Sequence, residues 1–113
     1  MAPGLAEARI ESFEAFWPYY LREHAHPVNR ALHVAGTGAA LATLAAAAFN
    51  PLLLPCVPVV GYAAAWVGHY LVEKNRPATF TYPLWSLRGD LRMFRLAVTG
   101  RLGPQLDRAL SEA

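Results

Sequence analysis

Three observations predict an all-α fold: a small helical membrane protein of about four helices built around a central apolar antiparallel hairpin. From Ala31 to Val72 the chain has no Asp, Glu, Lys or Arg. Asn50-Pro51, a strong turn signal, interrupts that run at its centre. All four histidines, His24, His26, His33 and His69, lie at or near the two ends of the run. A chain folded at Asn50-Pro51 brings His33 and His69 to the same height, which suggests a multi-histidine metal site at the mouth of the hairpin.

The first element, residues 7–24, reads as an amphipathic helix. Ile10, Phe13, Phe16, Trp17, Tyr20 and Leu21 recur at helical spacing, with Glu7, Glu11 and Glu14 towards the start, where negative charge is favoured. Pro18 falls inside the pattern and predicts a kink or a split. Trp17, Tyr19 and Tyr20 fit an aromatic belt at a membrane boundary, or equally an ordinary core. The second helix, 27–49, is thin because of Gly36, Gly38 and many alanines; Gly36 and Ala40 form a small-xxx-small pair suited to close helix contact. The return helix, 58–74, has Pro58 in its first turn. Residues 75–83 form a loop bracketed by Pro77 and Pro83. A fourth helix, 84–99, carries Leu84, Leu87, Leu91, Phe94 and Val98 on one side. Its other side carries Arg88, Arg92 and Arg95, suited to an anionic membrane surface or to water. Gly100 and Gly103 end it, and a short last helix spans Pro104–Leu110.

The 113 residues suffice for one small domain, 1–113. The chain is 55% hydrophobic and 16% charged, below the roughly 25% usual for globular domains, and all its Lys, Arg, Asp and Glu lie in 1–30 or 73–113. A net charge of +2 without an aromatic-basic stripe argues against nucleic acid. The lone Cys56 excludes an internal disulfide and gives no zinc signature; it is expected to pack as a small apolar residue. The polar-amphipathic start predicts no cleavable signal peptide. Ala31–Phe49 makes about 28 Å of helix, enough to span a bilayer, whereas the clean part of the return leg makes only about 24 Å. A buried hairpin in a soluble bundle is the alternative. Arg22 and Arg30 before the hairpin, and Lys74, Arg76, Arg88, Arg92 and Arg95 after it, put both ends in the cytoplasm by the positive-inside rule. This predicts a bacterial inner-membrane protein.

His69 and Glu73, and likewise Asn29 and His33, are four apart on a helix and share a face. His24 and His26 come from the segment that enters the second helix. Four imidazoles and one carboxylate suit iron, zinc or copper, and two histidines with one carboxylate are the usual set of mononuclear ferrous oxygenases. The candidate metal ligands are therefore His24, His26, His33, His69 and Glu73. Each also has a plain structural role: His33 as a boundary histidine, His26 beside a helix start, Glu73 paired with Arg76 or Arg30.

Two segments carry a family resemblance. They run Tyr20-Leu-Arg-Glu-His24-Ala-His26-Pro-Val-Asn29-Arg30-Ala-Leu-His33-Val-Ala-Gly36-Thr37 and Gly68-His69-Tyr-Leu-Val-Glu73-Lys-Asn75-Arg-Pro77-Ala78. With Phe13–Trp17 and Pro83–Phe94, including Asp90-Leu-Arg-Met93, the chain resembles the small membrane family typified by the fungal 2-hydroxy-fatty-acid dioxygenase. The resemblance implies an Fe(2+)-dependent enzyme of α-oxidation that uses O2 to shorten a 2-hydroxy fatty acid by one carbon. It implies His24, His33 and His69 as catalytic ligands. The family's second histidine sits one position before His26, where this chain has Ala25, so Glu73 is a candidate to complete the set. A 2-hydroxy carboxylate can chelate a metal while Asn29, Arg30, Lys74 or Arg76 holds it and the hairpin takes its tail. The expected partners are a membrane lipid or fatty acid, O2 and a second copy of the chain. The competing readings are another metal-dependent lipid-modifying enzyme, and a non-enzymatic metal- or haem-binding or scaffold protein of the membrane.

Overall fold

Ser12 opens helix α1 (Phe13–Arg22) by accepting a hydrogen bond from the Ala15 N–H at 3.1 Å, a standard N-cap. The computed structural model describes residues 9–111, so the predicted start of this helix at Glu7 lies outside the described residues. Pro18 does not split α1, which runs unbroken through it. The carbonyl it leaves without a partner belongs to Glu14, which is exposed, so water can satisfy it. The buried side of α1 is Phe13, Phe16, Trp17, Tyr20 and Leu21.

Helix α2 (Pro27–Ala47) begins at the proline, where the missing N–H costs nothing. Asn50 then accepts from the Leu52 N–H at 3.2 Å and starts a single 3₁₀ turn, Pro51–Leu53, at the predicted reversal. Helix α3 (Cys56–Trp66) follows, two residues earlier than expected, and continues as a π-helical segment, Val67–Glu73. Pro58 is accommodated in the first turn, where no intrahelical acceptor is lost. A 3₁₀ turn, Ala78–Phe80, leads into α4 (Pro83–Val98) and α5 (Leu102–Ser111). The described residues are all helical or irregular, with five α-helices and no strand.

Helices α2 and α3 run in opposite directions at very close range. A Cβ on Gly36 would sit 2.8 Å from Ala64 Cβ and 3.3 Å from the Gly61 carbonyl, and one on Gly61 would lie 3.5 Å from Ala40 Cβ. The small-residue stripe thus lets the backbones meet. Among the described residues one helical run, Pro51–Glu73, is long and apolar enough to cross a membrane by length and composition. The expected first span, within α2, falls short because the helix ends at Ala47 and every span-length stretch of it takes in Arg30 and His33. The return leg, expected to be the shorter arm, is the stronger candidate.

The core lies elsewhere. Phe13, Phe16, Trp17, Tyr20 and Leu21 of α1 pack with Tyr82, Met93 and Leu96 at α4 and with Leu106 and Ala109 of α5. Trp17 Nε1 donates to Gln105 Oε1 at 2.7 Å, tying α1 to α5. Two predicted surface roles change. Arg88 and Arg92 stack on α1, 4.1 Å and 5.4 Å from the Phe13 ring centre, because aromatic faces attract guanidinium. Leu84, Leu87, Leu91 and Val98, the predicted packing side of α4, are exposed instead. Cys56, expected to be packed, is exposed at the start of α3.

Candidate metal centre

Three elements each deliver one imidazole to the same point: His24 from the end of the α1 segment, His33 from the second turn of α2, and His69 from the π-helical segment. His24 Nε2 lies 3.2 Å from His33 Nε2 and 3.1 Å from His69 Nε2, and all three nitrogens fall within 4.8 Å of one another. All three residues are buried. The π-helical geometry of Val67–Glu73 is of the kind that marks functional sites in helices. It closes on Lys74, the one described non-glycine residue with positive φ, at 62°. The Asn75 N–H then bonds back to the His69 carbonyl at 2.9 Å.

Hydrogen bonds settle the protonation of two rings. His24 Nδ1 is 2.6 Å from the Tyr20 carbonyl, which can only accept, so Nδ1 carries the proton. Asn75 Nδ2 donates to the Glu23 carbonyl at 3.0 Å, which turns its Oδ1 towards His69 Nδ1 at 2.6 Å. His69 Nδ1 is therefore also the donor. Both Nε2 atoms then present bare lone pairs 3.1 Å apart. Burial first, and the neighbouring His33 second, hold His24 well below the usual histidine range, so its ring stays neutral. Two lone pairs facing at that distance repel unless a cation lies between them. The separations are close to the roughly 3.0 Å expected of two nitrogens each about 2.1 Å from one ion at a right angle. The donor set fits a divalent transition metal, with Tyr20 and Asn75 as the outer partners that fix ring orientation.

Arg30 builds the loop that carries His24. Its Nη1 donates to the His24 carbonyl at 2.9 Å and the Ala25 carbonyl at 2.6 Å. The other predicted site residues separate from the cluster. His26 is exposed and caps α2, its Nδ1 accepting from the Val28 N–H at 3.1 Å. Glu73 accepts from the His26 N–H and, at 3.4 Å, from Asn29 Nδ2. Asn29 is fully buried against Gly68, where any Cβ would overlap its side-chain amide. Lys74 is exposed, and Arg76 stacks over Phe80 at 5.0 Å. None of Arg30, Lys74 and Arg76 lines the small cavity at the histidines, which is bounded by Tyr20, Tyr62, Trp66, Pro77, Ser86 and Asp90 among others.

Sequence reasoning missed Tyr20, Asn75 and Asp90 as parts of this site. Asp90 Oδ1 accepts from the Tyr20 hydroxyl and lies 3.6 Å from His33 Nε2. Gly89 permits this approach, since a Cβ there would meet the Tyr20 ring at 2.9 Å. Burial pushes the Asp90 carboxyl up to about 6, while the Tyr20 hydroxyl opposes that shift; Tyr20 itself is driven well above its usual value by burial and by Asp90. One signal was available: Asp90 is the lone acid between Glu73 and Asp107, on a helix rich in arginine.

A second cavity of about 420 Å³ opens from His33 and Asp90 between α2, α3 and α4. Its walls are apolar: Leu41, Leu44, Val57, Pro58, Leu87 and Leu91 are among them. The site is thus a cluster of imidazoles at the head of a greasy groove. No curated protein and no solved structure matches the chain. Residues 10–102 match the family described as 2-hydroxy-palmitic acid dioxygenase Mpo1-like, and the chain belongs to that family.

Proposed function

We propose that this protein is an Fe(2+)-dependent dioxygenase of fatty acid α-oxidation, converting a 2-hydroxy fatty acid and O2 into the acid one carbon shorter. The carboxyl carbon leaves as CO2 and water is the other product, so the four electrons taken from the substrate reduce O2 with no further reductant. The observation that carries this reading is the junction of three convergent imidazole nitrogens with an apolar groove of about 420 Å³. When bound, iron would supply oxygen activation and polarise the substrate head group. His24, His33 and His69 hold it. Tyr20 and Asn75 keep the Nε2 atoms of His24 and His69 free by accepting their Nδ1 protons. The groove takes the acyl tail and keeps water from the head group.

The same reading makes this a single-domain protein of the bacterial inner membrane, with α2 and Pro51–Glu73 inserted as a hairpin and both ends cytoplasmic. Phe49 and Leu52 at the turn are 93% and 84% exposed, which suits lipid and not water. A second copy of the chain is a partner the exposed apolar faces would accept. The test is iron analysis of the detergent-purified chain combined with turnover of 2-hydroxypalmitate under O2. One iron per chain and a product one carbon shorter are expected. Protein that binds iron and leaves 2-hydroxypalmitate unchanged would remove the dioxygenase reading.

A further inference from the structure

We propose that Asp90 is the fourth protein ligand of the metal held by His24, His33 and His69, aimed by the hydroxyl of Tyr20. The inference rests on the metal-binding part of the reading above and not on the reaction.

Position argues first. Asp90 Oδ1 is 3.6 Å from His33 Nε2, close to the 3.2 Å that separates His33 from His24. Asp90 also lines both the histidine cavity and the head of the apolar groove, beside the three-histidine group and outside the 4.8 Å within which those donor atoms fall, so its carboxylate would swing inward to reach an ion. Charge argues second. Among the described residues, the positively ionisable group within 4 Å of this carboxylate is His33, and no Lys or Arg side chain pairs with it. A largely buried carboxylate needs a cation or loses its charge, and a metal ion among the three imidazoles supplies one. Support argues third. Tyr20 accepts the His24 Nδ1 proton through its carbonyl and donates its hydroxyl proton to Asp90, so one residue orients two ligands. Gly89 is what lets α4 come close enough.

The rivals are occupied. Glu73 serves the α2 N-terminus, and His26 caps the same helix. Three imidazoles and one carboxylate make a set suited to ferrous iron, and on a six-coordinate ion they leave two positions for substrate and oxygen.

The experiment is anaerobic titration of the detergent-purified full chain with Co(II), read by its visible bands and by competition with a chelator. Wild type, Asp90→Asn, Asp90→Glu, Glu73→Gln and Tyr20→Phe are compared, with helix content checked by circular dichroism. Asp90→Asn is expected to weaken binding beyond the roughly 10–100-fold typical of losing an outer partner and to shift the bands. Tyr20→Phe should weaken binding within that range and keep the band pattern, and Glu73→Gln should match wild type. Asp90→Asn with wild-type affinity and bands overturns the proposal. Should the Asp90 variants fail to fold, infrared difference spectra of the Glu73→Gln protein with and without Co(II) decide. A shifted carboxylate stretch supports Asp90 as ligand, and an unshifted one overturns it. Asp90-dependent Co(II) binding without turnover of 2-hydroxypalmitate would sink the dioxygenase and leave this ligand assignment standing. Turnover with Asp90-independent metal binding would do the reverse.

Discussion

The two halves of this small molecule bury opposite things. Where α1, α4 and α5 meet, the interior is aromatic and aliphatic: Phe16 is 0% and Leu21 1% exposed, and arginines cover the rings from outside. Along α2 and the Pro51–Glu73 run, the interior is polar and small. Asn29, His33, Gly36, Gly68 and His69 are inside, while Leu71, Val59 and Phe49 are outside. The first half is a core that water drives together. The second gains little from water, since its large side chains remain uncovered, and it coheres through backbone proximity and a hydrogen-bonded polar site. That contrast is what a chain half in water and half in lipid should show.

Four substitutions test the contrast, from the largest effect to the smallest. Phe16→Ala opens a cavity in the aromatic core and should cost about 3–5 kcal/mol in a denaturant melt of the detergent-solubilised protein. An unchanged midpoint would mean that the core is not cooperative with the rest. Gly36→Ala sets a methyl 2.8 Å from Ala64 Cβ and should cost about 1–3 kcal/mol, less whatever helix propensity returns. It should also loosen metal binding, because α2 and the π-helical segment carry His33 and His69. Gly103 in α5 has nothing within 4 Å of its Cβ position, so Gly103→Ala should instead stabilise by up to about 1 kcal/mol. Opposite signs in one thermal-shift experiment would confirm that close approach, and not glycine itself, matters at position 36. Phe49→Ser should change detergent-state stability by less than about 0.5 kcal/mol, because the ring touches little of the protein, yet lower partition into lipid vesicles. Equal partition would place the turn in water.

Much of the helical plan was legible before any coordinates. Helical spacing marked α1 and α4, Pro27 and Asn50-Pro51 marked a start and a reversal, and the histidines flanked the uncharged run. Less legible was the side of α4 that packs. Leucine periodicity shows that a helix has two faces but not which one is covered, and the rings of Phe13 and Trp17 drew Arg88 and Arg92 towards α1. Likewise, His69 and Glu73 share a face at i, i+4 spacing, yet Glu73 turns to the α2 N-terminus, where an unpaired N–H awaited a carboxylate.

The sequence by itself determined that this chain is helical, that its charges sit outside one apolar run, and that its four histidines gather at the ends of that run, because periodicity and turn chemistry are local properties. The narrower set His24, His33 and His69 was what the family resemblance implied. Only the tertiary structure decided which polar groups complete the site. Tyr20 and Asn75 reach His24 and His69 from nearby in the chain, but Asp90 meets Tyr20 across 70 residues and through a glycine-sized gap at Gly89 whose fit no local pattern encodes. Contacts of that kind arise from packing, and packing depends on every neighbour at once.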